Sequence, residues 1–146
     1  MYERILIPTD GSSEADRAVE HALDLAETYG AALSVLYVVD TSALPLDPRT
    51  EQVVEYLEEA GRRSEKHVLE RAEGRDIDAI VTDVVEGSPH ETILAYVDDN
   101  DIDLVVMGTH GRRGLYRFLL GSVTQRVLRA ADIPVVVVPP AGDRDE

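Results

Sequence analysis

The sequence predicts a doubly wound α/β domain, a five-stranded parallel sheet with helices on both faces. Three observations point to it. Five short runs are continuously aliphatic, as strands buried on both faces must be. The segments between them place apolar residues at helical spacing. Crossovers joining parallel strands are right-handed, which puts the helices on both faces of one sheet. The chain has 146 residues, enough for one proper core. It shows no internal repeat or low-complexity tract, so one domain is expected over residues 1–140 with a polar tail over 141–146.

The elements follow in order. Arg4–Pro8 (RILIP) is an apolar run that breaks at Thr9-Asp10-Gly11-Ser12, a compact turn and helix start. Ala15, Ala18, Val19, Ala22, Ala26 and Tyr29 share one helical face, and Gly30 is a natural stop. Ala32–Val39 reads as a buried strand, and residues 40–50, with Pro45 and Pro48, as a surface loop. Val53, Val54, Leu57, Ala60, Ser64 and Val68 mark a long helix whose exposed face carries Glu and Arg. Asp78–Val85 is the third strand, after which Gly87-Ser88-Pro89 opens a helix bearing Ile93, Leu94 and Val97. Asp103–Met107 is the fourth strand, Ser122 starts a helix through Val123, Val127 and Leu128, and Pro134–Val138 is the fifth strand.

Composition bounds the function. The chain is 44% apolar but only 5% aromatic, so its core is aliphatic. No apolar run approaches the roughly twenty residues that span a bilayer. The first residues contain Glu3 and Pro8 and do not read as a signal peptide, so a soluble, cytoplasmic protein without membrane partners is expected. Without cysteine there are no disulfides or thiolate metal sites. The formal net charge is −15, and the bases are arginines apart from Lys66. That balance suits a concentrated-salt, halophilic cytoplasm, where self-repulsion is screened. It disfavours a nucleic-acid partner, which calls for a net basic face.

Against this acidity, residues 104–131 contain no Asp or Glu. They carry Arg112, Arg113, Arg117, Arg126 and Arg129, and the spacing Gly108-x2-Gly111-x9-Gly121-Ser122. A buried strand and helix explain the apolar parts of this window. They do not explain a polar loop with arginines and glycines but no acids, and that loop points to a bound anion, a phosphate. Gly108 and Gly111 allow close backbone approach. Gly121-Ser122 stands where a helix N-terminus offers free N–H groups, or is simply a tight turn and cap. Asp10, after the first strand, is suited either to a ribose hydroxyl or to capping residues 11–13. His110 lies within the loop, suited to contact phosphate or to shuttle a proton, while no second His, Cys or carboxylate is spaced to suggest a metal site or a nucleophilic triad. No Walker-type GxxxxGK[ST] pattern is present. His21, His67 and His90 read as surface or boundary residues.

Taken together these residues resemble the universal stress protein family, in its ATP-binding subgroup. The subgroup's G-x2-G-x9-G-[ST] motif stands here as GTHGRRGLYRFLLGS. Agreement extends to ILIPTDGS at the start, the second strand running into VVD, VVEGSP, and DLVVMGTHG. The resemblance implies an adenine-nucleotide alpha-hydrolase-like fold with strand order 3-2-1-4-5, bringing Asp10 and Gly108 to one crevice. It implies that Pro8, Thr9 and Asp10 line the adenosine side, with Val39 meeting the adenine through its backbone. Met107, Gly108, His110, Gly111, Arg112, Gly121, Ser122 and Val123 then face ribose and phosphates. It also implies ATP as the bound cofactor, with Mg2+ or Mn2+ held through the phosphates, and a homodimer through the last strand, Val135–Val138. The function expected is a nucleotide-dependent regulatory or stress-response protein. Two alternatives stay open: a slow ATPase or nucleotidyl-transfer enzyme using the same pocket, and a structural dimer with a vestigial site.

Overall fold

The computed structural model describes residues 1–12, 15–42, 44, 47–109 and 120–140. Strands β1 (Arg4–Thr9), β2 (Ala32–Asp40), β3 (Ile80–Gly87), β4 (Leu104–Gly108) and β5 (Val135–Val138) form one sheet. All pairings are parallel, in the order β3-β2-β1-β4-β5. Among the described residues four helices cover it: α1 (Asp16–Tyr29), α2 (Thr50–Ala72), α3 (Pro89–Asp99) and α4 (Ser122–Ala130).

The aliphatic runs fill two cores, one on each face of the sheet. Ile5, Ile7, Leu33, Val35 and Val106 meet α1 and the C-terminal half of α2 on one face. Leu6, Leu36, Val105 and Met107 meet α3 and α4 on the other. Alternation along β1, β2 and β4 therefore sends both sets of side chains inward, which is why these strands read as nearly continuous apolar runs. Helix α1 buries Ala18, Val19, Ala22, Leu23 and Ala26, and its end is closed by Gly30, left-handed at φ 65°, whose N–H reaches Ala26 O. Tyr29, at the end of the helix, is exposed and meets Tyr2 edge-on, at 5.2 Å between ring centroids.

Strands β1, β2, β4 and β5 differ from the sequence expectation by one residue at one or both ends, and two elements depart further. Strand β3 begins at Ile80 rather than Asp78, because its ladder with β2 starts at Leu33↔Ile80. In α2 the buried face is Gly61, Ser64, Glu65, Val68 and Ala72, whereas Val53 and Tyr56 are exposed. Gly61 already lies against Tyr37, three residues from the end of β2, so the preceding turns run past the sheet. Apolar periodicity continues there without a sheet beneath it.

Glu65 is thus buried, not part of the charged outer face, and its Oε2 has no hydrogen-bond partner among the described residues. Desolvation, reinforced by the negative charge of Asp83, pushes its carboxyl up to about 7, and the nearby backbone of Asp83 and Tyr37 offsets only part of this. Asp83 accepts a 2.6 Å hydrogen bond from the Tyr96 hydroxyl on α3. Burial and that bond push Tyr96 up to about 12.

A ladder of charges joins the two helices on one face. Asp16, Glu20, Asp24 and Glu27 on α1 meet His67 and Arg71 on α2 and Arg75 just beyond it. Arg75 alone contacts Glu20 at 2.9 Å, Asp24 at 2.6 Å and Glu27 at 3.1 Å. Because those carboxylates are more than a third exposed, water screens much of the attraction. Arg75→Gln is expected to cost about 1 kcal/mol in dilute salt and less in about 2 M KCl. Denaturant unfolding of both proteins in the two buffers measures the difference.

Candidate functional site

Strands β1 and β4 are adjacent, in register Ile5↔Leu104 and Leu6↔Val105. The chain leaves β1 toward β2 on one side and arrives at β4 on the other, so strand order reverses between them. Loops leaving the carboxyl ends at such a point diverge and open a crevice. Asp103 fixes the lower end of this pair: its carboxylate accepts from the N–H groups of Glu3 and Arg4, at 2.9 and 3.1 Å.

On the β1 side, the turn is held by its own side chains. The Thr9 hydroxyl oxygen accepts from Gly11 N–H at 3.1 Å, and Asp10 Oδ1 accepts from Ser12 N–H at 2.9 Å. Gly11 takes φ 79°, a left-handed conformation that favours glycine. One oxygen of Asp10 is therefore committed to capping the turn. Thr9 is buried, while Pro8 and Asp10 are half-buried.

On the β4 side, the first turn of α4 is stitched to the end of the strand. Gly121 N–H donates to Thr109 O at 2.7 Å, and Thr124 Oγ1 donates to Gly108 O at 2.9 Å. Gly121 is the N-cap of α4 in extended conformation, and the first turn carries no acid. The helix therefore presents its positive end beside Gly108, with Ser122 exposed and Val123 half-buried. Thr124, which sequence reasoning did not single out, is a buried hydroxyl one turn into the helix. Val39 lies near the end of β2 and is buried, as is Met107 in β4. Asp40 closes β2 by accepting from Ser42 N–H at 3.0 Å.

The structure thus brings the ends of β1, β4 and α4 together, with β2 alongside β1. His110, Gly111 and Arg112 lie outside the described residues. Among the described residues no group of three or more His, Asp or Glu side chains is placed to hold a metal ion. No helix among them is long and apolar enough to cross a membrane.

Fold and crevice together define a class: doubly wound domains that bind ligands at the switch point, with an anion-favouring helix end on one side. The model of the universal stress protein family matches residues 1–139, and the chain belongs to that family. It is 40% identical over 141 residues to universal stress protein MJ0531 of Methanocaldococcus jannaschii, covering 94% of this chain and 82% of that one. Among solved structures, universal stress protein UspA from Lactobacillus plantarum superposes with a TM-score of 0.82 at 31% identity, covering 94% of this chain and 97% of that one. That of MJ0577, also from M. jannaschii, gives 0.81 at 30% identity, covering 98% and 99%.

Proposed function

We propose that this protein is an ATP-binding, homodimeric universal stress protein whose nucleotide occupancy is its signal. The observation that carries this is the juxtaposition of the Thr9–Ser12 turn with Gly108 and the Gly121–Ser122 helix start, the latter two lying in residues 104–131, from which acids are absent. In this reading Pro8, Thr9 and Asp10 line the adenosine side and the Val39 backbone meets the adenine. Met107, Gly108, His110, Gly111, Arg112, Gly121, Ser122 and Val123 hold ribose and phosphates, with Mg2+ or Mn2+ carried on the phosphates. Fold neighbours 23% identical to the chain include a universal stress protein in complex with cAMP and one from Archaeoglobus fulgidus in complex with dAMP. Those share the fold, and the glycine motif carries the reading to this chain. The homodimer forms through β5, which is an edge of the sheet.

The test begins with protein purified in high potassium salt, then denatured, and the released nucleotide identified by mass spectrometry. ATP at one equivalent per chain is expected. Gly121→Val removes the close approach at the helix start and is expected to weaken ATP binding about a hundredfold, as the loss of two charge-assisted N–H contacts would. Folded protein that is empty and rejects added ATP overturns the proposal.

A further inference from the structure

A second cavity, of about 270 Å³, opens between α1 and α2 behind the β1 turn. Its polar lining is Thr9, Ser12, Asp16, Arg63, Ser64 and His67. Of the described residues assigned above to the nucleotide, only Thr9 reaches it. The Thr9 side chain turns toward α2, its oxygen 3.4 Å from Ser64 Oγ.

The hydrogen-bonding inventory of this cavity is unbalanced. Thr9 Oγ1 already accepts from Gly11 N–H, so its own proton has only the long contact to Ser64. Ser12 Oγ is buried and has no partner among the described residues. Leaving such a hydroxyl unsatisfied costs about 1–3 kcal/mol. Arg63 is exposed at the rim and forms no ion pair among the described residues. The carboxylate among the described lining residues, Asp16, is engaged by His67 at 3.5 Å and Arg71 at 3.6 Å. Among the described residues, three hydroxyls, a guanidinium without an ion pair and an imidazole therefore line one cavity in which Asp16 is the one carboxylate.

We propose that the α1–α2 cavity is a second ligand site, for a tetrahedral oxyanion: inorganic phosphate or the phosphate of a small monoester. A tetrahedral phosphate presents mainly acceptor oxygens, facing different directions, which matches hydroxyls on three separate elements. Arg63 supplies the charge, with Ser12, Ser64 and Thr9 the neutral donors. His67 joins them from the same face of α2. The site shares Thr9 with the nucleotide crevice but is distinct from its phosphate end, since Gly108, Gly121 and Ser122 do not line it.

The experiment titrates inorganic phosphate into the full-length protein near neutral pH and constant ionic strength, following the assigned His67 ring resonances by NMR. A saturable shift is expected. Arg63→Gln weakens binding about tenfold, as loss of one charge-assisted contact does, and Ser64→Ala weakens it less. Gly121→Val is expected to bind phosphate as the parent does, which separates this site from the proposed nucleotide site. A parallel titration with glycerol phosphate distinguishes the sources: tighter binding than phosphate identifies a monoester, weaker binding the free ion. No saturable shift with either, or an unchanged shift in Arg63→Gln, overturns the proposal.

Discussion

Replacing Glu65 with glutamine is expected to stabilise the folded protein by about 3 kcal/mol at about pH 8, and by far less at about pH 5. The carboxyl is raised from 4.5 to about 7 in the folded state. A raised carboxyl means that the folded protein holds this proton more tightly than the unfolded chain does. Below about pH 4.5 both states hold it and the burial penalty is absent. Between about pH 4.5 and 7 the unfolded chain ionises while the folded protein does not, and about 1.4 kcal/mol of stability is lost per pH unit. Above the folded value the loss levels off. Glutamine keeps the shape and never ionises, so its advantage grows through that window and then stays constant. Denaturant unfolding of both proteins at several pH values measures it. A gain of equal size at every pH would assign the effect to packing and not to ionisation.

The second large effect is expected at Gly61. A Cβ built there stands 2.7 Å from Cδ1 and 3.0 Å from Cγ of the Tyr37 ring. The ring is buried and has Gly11 on its other side, so it has little room to retreat. Alanine would gain about 1 kcal/mol of helix propensity and lose more than that by forcing α2 outward. Leucine at position 61 is expected to destabilise by about 3 kcal/mol, the upper part of the usual overpacking range. A Tyr37→Ala background should relieve most of the penalty. Thermal and denaturant unfolding of the two single variants and the double variant test this. Additive losses would show that Gly61 and Tyr37 are not the conflicting pair.

What could be read from the chain depended on what local pattern encodes. Ile5, Leu33 and Val105 sit in runs too apolar to be anything but strands, and Gly30 and Pro89 punctuate helices for backbone reasons that need no tertiary contact. The turn at Asp10 and the glycines at 108 and 121 were visible through charge and spacing, although their adjacency depends on which strand lies beside β1. That came from the family resemblance and agrees with the observed order. Glu65 was hidden because a glutamate among glutamates on a long helix looks solvated. Its burial follows from where the sheet lies under α2, which helical period alone does not encode. The same is true of Val53, apolar and in phase, yet beyond the sheet. Thr124 gave no signal either, since its partner is a backbone carbonyl sixteen residues away.

The charge ladder between α1 and α2 has a further property. Acids recur along α1 at 16, 20, 24 and 27, and cations follow at 67, 71 and 75, nearly the same interval on both sides. Slide α2 by one turn, about 5.4 Å, and His67 would face Glu20, Arg71 would face Asp24 and Arg75 would face Glu27. Almost every charge would find another partner. Such a repeating scale tells the helices which faces to match but is degenerate as to position. The degeneracy is broken where the pattern does not repeat, at the one place where a bare backbone admits an aromatic ring. Gly61 over Tyr37 is the index mark on an otherwise periodic ruler, and filling it would free the two helices to settle one turn out of step with most of the charges still paired.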